Sequence, residues 1–189
     1  MTQRDDIADR FKQGDLARAY DLCLDALRHR PDDLWLRHRA VLCLIRSGAL
    51  ERAERDFYRF RLAEARHNED CLALGARLLK AMAFEANAED FPTLARSAAD
   101  RYAAVFEQTG GHYPGINAAT MALLAGDRER SVDLARQVLE SCRSGLPLDP
   151  EAAYYQKASE AEAHLLLAQP GAANMALRSA IACDRENYL

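Results

Sequence analysis

The chain has 189 residues, 49% hydrophobic and 29% charged, with a formal net charge of −4, a balance that excludes disorder and suits one sizeable core or about five stacked helical hairpins. Charge is uneven, with 14 Lys+Arg against 12 Asp+Glu in residues 1–66 and 11 against 17 beyond. That bias is too weak for nucleic-acid binding driven by counterion release.

The opening Met1-Thr2-Gln3-Arg4-Asp5-Asp6 lacks the apolar stretch of a signal peptide, and no segment reaches the roughly 18 uninterrupted apolar residues of a membrane span. Neither a membrane nor a nucleic acid is expected as a partner. Apolar residues recur at three-to-four spacing along the chain, and no run alternates as a half-buried strand would, which predicts an all-helical fold.

The first strong signal is Gly14-Asp15, where glycine closes one helix in left-handed geometry and the aspartate caps the next. Ala19, Cys23 and Ala26 follow as small residues, and Pro31 ends the second helix. Side chains larger than alanine at such positions hold paired helices apart. Trp35, Ala40, Val41 and Leu44 supply the next helix. It ends at Gly48, which repeats Gly14 after 34 residues, and Ala53 repeats Ala19 at the same interval. Phe57 and Phe60 follow. This is the tetratricopeptide (TPR) period, in which each unit is a helical hairpin that needs a neighbour to bury its apolar face.

Beyond Arg66 the period loosens. Helices are predicted at 69–86, 91–108, 114–125, 128–143, 150–168 and 171–184, joined by turns at Pro92, Gly110-Gly111, Gly145 with Pro147, and Pro170-Gly171. Gly126-Asp127 repeats the glycine-plus-cap signal, and Asp149-Pro150-Glu151 is a strong helix start. The reading is an all-α, right-handed superhelical stack of TPR-like antiparallel hairpins in a single domain 1–189, with about ten helices. Residues 1–66 are its regular units and 67–189 its divergent ones.

Residues 111–126 read Gly-His-Tyr-Pro-Gly-Ile-Asn-Ala-Ala-Thr-Met-Ala-Leu-Leu-Ala-Gly. Tyr113, Gly115, Ile116 and Asn117 within it resemble the Tyr-x-Gly-Ile-Asn-x-Ala segment of the TRAF-binding, TPR-like regulatory region of apoptosis-signal-regulating MAP kinase kinase kinases and its bacterial counterparts. Upstream, Gly75, Arg77 and Lys80 resemble that family's Gly-Arg-x-x-Lys helix, with Ala76 inserted after the glycine. The resemblance covers about residues 69–184. It implies a helical-repeat module that regulates or recruits a signalling partner without chemistry of its own. Read from the residues alone, Pro114 begins a helix, Gly115 and the Ala118-Ala119 pair allow a close helix neighbour, and Asn117 bonds to nearby backbone. A packing role for the segment and a ligand contact through Tyr113 or Asn117 are both open at this point.

Catalytic and cofactor patterns are thin. Gly110 to Gly115 has phosphate-loop spacing, but Ile116-Asn117 replaces the Lys-Ser/Thr pair. Glu160 and His164 share a helix face at i,i+4 beside Glu162, without an HExxH pattern or a local third ligand, so an exposed pair is expected rather than a metal site. Five cysteines at 23, 43, 71, 142 and 183, never as CxxC, fit reduced thiols, with Cys23 and Cys43 as inert core residues. No cofactor and no catalytic residue is expected, and the chain is placed in the cytoplasm. Only Lys12, Lys80 and Lys157 are lysines, while arginine and alanine are abundant, a usage typical of GC-rich bacterial genomes.

The candidate site is a groove lined by the first helix of each hairpin. Arg4, Ala8, Phe11 and Lys12 would align there with Trp35, His38, Leu42, Ile45 and Arg46, a mixed basic and apolar lining for a protein or peptide with acidic and hydrophobic residues. The clamp that grips chaperone tails also needs asparagines, and residues 1–66 contain none. The expectation is a non-catalytic interaction scaffold in bacterial signalling or stress response. The alternatives are a TPR-type chaperone for a secreted client and a small helical metal-dependent hydrolase.

Overall fold

A computed structural model describes residues 2–145, 147 and 149–183. Among these residues there are ten α-helices, one 3-10 turn and no strand. The chain divides into two compact units, Met1–Glu85 and Ala86–Leu189.

The first unit contains α1 (Gln3–Lys12), α2 (Leu16–His29), α3 (Leu34–Arg46), α4 (Leu50–Arg59), the 3-10 turn Leu62–Glu64 and α5 (Glu69–Glu85). Consecutive helices pair, α2 stacks on α3, and α3 and α4 both receive α5. One apolar cluster runs through the unit from Ile7 to Leu78. The small residues read from the sequence lie where the helices approach, with Ala19, Cys23, Ala26, Ala40 and Ala53 all essentially inaccessible. Gly75 on α5 is needed because a Cβ there would lie 2.9 Å from Phe57 Cζ on α4.

The 34-residue interval is visible in the hydrogen bonds. Gly14 has φ +81° and Gly48 φ +78°. At both, the glycine amide donates to a carbonyl three residues back and the next amide donates five back: Asp15 to Arg10 at 2.9 Å, Ala49 to Leu44 at 3.0 Å. This turn satisfies helix-end carbonyls only if its central residue is left-handed, which costs glycine little. The same bonds recur around Ala168, a non-glycine held at φ +57°.

The second unit contains α6 (Phe91–Thr109), α7 (His112–Leu124), α8 (Arg128–Ser144), α9 (Pro150–Leu166) and α10 (Pro170–Cys183). Its neighbours pair in order, and α7 also meets α9. Asp127 and Asp149 cap α8 and α9 by accepting from Arg130 N and Ala152 N at 3.1 and 2.8 Å. The last helix buries only Ala173, Ala176 and Ala180 and leaves Met175, Leu177 and Ile181 exposed. The apolar pair Tyr188-Leu189 lies outside the described residues.

Candidate functional site: a guanidinium and aromatic cluster on the first helices

The first helices of the two regular hairpins meet through charge and aromatic rings. Asp33 caps α3 by accepting from Leu36 N at 3.2 Å, and Arg4 of α1 reaches across to it at 2.8 Å. Burial pushes the Asp33 carboxyl up, but the Arg4 guanidinium and the Leu36 amide outweigh it and hold the group below its usual range. The same Arg4 guanidinium lies 5.2 Å from the Trp35 ring centroid.

One turn along α3, Arg39 lies 4.4 Å from the Phe11 centroid and 5.1 Å from the Trp35 centroid. Two turns further, Arg46 lies 4.5 Å from Phe11. Positions 35, 39, 42 and 46 follow the three-to-four spacing of one helix face, which is why they share a stripe. Phe11, Leu42 and Ile45 are buried and form its floor, whereas Arg4, Lys12 and Arg46 are exposed and Trp35 is half-buried. Arg39 Nε is buried without a hydrogen-bond partner among the described residues.

His38 faces a different neighbourhood. Burial lowers its pKa, the Arg39 and Arg77 guanidiniums act in the same direction, and Asp70 opposes them. His38 is thus within electrostatic reach of Asp70 and Arg77 on α5 and of Arg39 beside Phe11. Arg77 and Lys80 are half-buried on α5 of the first unit.

Tyr113, Gly115, Ile116 and Asn117 lie on α7 of the second unit. Asn117 Nδ2 donates to Tyr113 O at 2.9 Å, and Tyr113 meets Tyr102 edge-on with centroids 6.2 Å apart. Ile116 is buried, and a Cβ on Gly115 would stand 2.7 Å from Val138 Cγ2. Helix contact thus accounts for the glycine and the isoleucine, and the asparagine bonds back to its own helix. The helix begins at His112, two residues before the expected Pro114.

Glu160 and His164 do share a face of α9, with Oε1 and Nε2 4.0 Å apart, but the pair is half-buried rather than exposed. Glu160 is taken by Lys157 at 2.7 Å, and His164 Nδ1 sits 2.8 Å from Gln169 Oε1. No group of three His, Cys, Asp or Glu among the described residues is placed to hold a metal. Burial raises the thiol of Cys23 to about 12 and that of Cys43 to about 11, so both are poor nucleophiles near neutrality. No described helix is long and apolar enough to cross a membrane.

Two structural features were not read from the sequence. Arg39 lies four residues after Trp35 and seven before Arg46, a spacing that was available but unremarkable among so many arginines. The second is a bond between the second helices of the hairpins: Tyr20 Oη donates to Asp56 Oδ2 at 2.7 Å with both side chains buried.

Among protein families, the Tetratricopeptide Repeats-Sensor family matches residues 13–122. The chain belongs to that family. No curated protein matches it. Solved structures similar to this Tetratricopeptide Repeats-Sensor chain include TTC0263, a thermophilic TPR protein of Thermus thermophilus, at TM-score 0.72 and 14% identity, covering 98% of this chain and 93% of that one. A MamA RS-1 ArsTM double mutant follows at TM-score 0.57 and 12% identity, covering 98% and 94%. A MamA protein aligns at TM-score 0.53 and 11% identity, covering 98% and 91%. At these identities the likeness establishes the TPR fold.

Proposed function

We propose that this Tetratricopeptide Repeats-Sensor chain is a non-catalytic protein-interaction module that takes a partner segment on the face formed by α1 and α3. The observation that carries this reading is the arrangement of Arg4, Arg39 and Arg46 on the rings of Phe11 and Trp35. Arginine and tryptophan next to a buried apolar floor are the side chains that concentrate binding energy at interfaces. TPR hairpins stack into extended surfaces suited to that use. The Tyr113 to Asn117 and Arg77 to Lys80 likeness to the TRAF-binding regulatory region supports a regulatory role.

The test is affinity capture of partners from the source organism, followed by amide hydrogen exchange on the reconstituted complex. Protection is expected on α1 and α3, and Arg46→Glu should abolish it. Protection confined to residues 86–183 would place the site elsewhere. Metal-dependent turnover lost in Glu160→Ala or His164→Ala would refute the non-catalytic reading.

A further inference from the structure

Several arginines of the first unit have no carboxylate partner, Arg18, Arg55 and Arg77 among them, but only two of these unpaired arginines, Arg39 and Arg46, lie over the same aromatic ring among the described residues. The ion pairs of this unit engage Asp6 and Asp15 with Arg10, Asp25 with Arg28, Asp33 with Arg4 and Arg30, Asp32 with Arg37, Asp56 with Arg59, and Glu64 with Arg61. Arg39 and Arg46 have no carboxylate within 4.0 Å among the described residues, yet both stack on the ring of Phe11. Each guanidinium carbon is within 4.5 Å of that one centroid, so the two like charges lie no further apart than roughly one Debye length.

Such a juxtaposition is unfavourable by itself and becomes favourable when one anion meets both forks. Arg39 heightens the effect because its Nε is shut from solvent without an acceptor, leaving the charge less hydrated than that of a surface arginine.

We infer that Arg39 and Arg46 together seat a phosphomonoester carried on the partner segment, a phosphorylated serine, threonine or tyrosine, with Phe11 beneath and Trp35 beside it. The inference rests on the reading of the α1 and α3 face as a peptide-binding surface. Phosphate is favoured over carboxylate by charge and by oxygen count. A carboxylate brings one charge and two oxygens to two guanidiniums. A phosphomonoester brings a charge of about −1.5 to −2 and three terminal oxygens, enough for both forks at once.

The experiment uses the full chain and degenerate peptide pools that differ only in the fixed central residue: phosphorylated, unphosphorylated, or glutamate. Retention of the phosphorylated pool about tenfold or more above the other two is expected, because a charge-assisted bidentate contact contributes on that scale. Arg46→Gln should erase the preference. Its side chain is exposed, so the fold is retained, as the far-UV circular dichroism spectrum would verify. Arg39→Lys, which keeps the charge but loses the fork, should weaken it.

Equal retention of the glutamate and phosphorylated pools would overturn the phosphate assignment and leave peptide binding standing. Indifference to the central residue would do the same. Failure to retain any pool would overturn both readings. Inorganic phosphate is the remaining probe, followed by the emission of Trp35, the only tryptophan. If it binds as tightly as the best phosphopeptide, the peptide is overturned as the carrier.

Discussion

Gly115 of α7 has no room for a side chain, because Val138 of α8 and Phe106 of α6 already press against its Cα. An alanine methyl there would stand 2.7 Å from Val138 Cγ2 and 3.0 Å from the Phe106 ring. Non-bonded carbons rest about 3.5–4.0 Å apart, so the helices must part by roughly 1 Å or Val138 must leave its rotamer. Overpacking of this kind costs about 1–3 kcal/mol, while replacing a helical glycine by alanine returns about 1 kcal/mol. Gly115→Ala is therefore expected to lose about 1 kcal/mol. Val138→Ala should lose about 2 kcal/mol from lost burial and the cavity left behind. In the double variant the new methyl fills part of that cavity, so the combined loss should fall short of the sum by about 1 kcal/mol. Urea unfolding followed by circular dichroism measures all three. Because stacked hairpins can open separately, amide exchange in α7 and α8 should accompany it. Gly171→Ala, with nothing within 4 Å of its Cβ, is the control and should not destabilise. A Gly115→Ala protein as stable as wild type, or strict additivity with Val138→Ala, would refute the reasoning.

Ala168 holds a left-handed turn that Gly14, Gly48 and Gly126 hold elsewhere. Ala168→Gly should stabilise by about 1 kcal/mol and Gly48→Ala should destabilise by a similar amount, read as shifts in urea midpoint. Tyr20→Phe leaves Asp56 buried beside Arg59 at 3.2 Å without its hydroxyl partner, and a loss of about 1.5–3 kcal/mol is expected from the same measurement. Burial lowers the pKa of His38 in the folded chain, so the unfolded chain binds the proton more readily. Stability should fall as pH drops through the ordinary histidine value of about 6.5 and level off below the folded pKa, and His38→Asn should flatten that part of a denaturation-versus-pH profile. Cys23 and Cys43 should resist thiol reagents at pH 8 in the folded chain and react once urea unfolds it, as absorbance titration would show.

Much of the architecture was legible because its signals are local. The left-handed glycines at 14, 48 and 126 and the caps at Asp15, Asp127 and Asp149 act within a few residues of themselves, so spacing alone located the turns and helix ends closely. The face proposed for binding was half legible. The positions of Arg4, Phe11, Trp35 and Arg46 followed from helical periodicity, but nothing local distinguished Arg39 from the arginines around it. His38 shares a helix with Trp35 yet also feels the charges of Asp70 and Arg77 on α5.

Periodicity and capping, then, determined helices, hairpins and the repeat, since those depend on hydrogen bonds closed within one turn of the backbone. Packing determined which charges go unpaired, which glycines cannot bear a methyl, and that Tyr20 meets Asp56 across 36 residues of chain. Those outcomes arise from contacts between helices far apart in sequence, where a shift of about 1 Å exchanges a good contact for a clash.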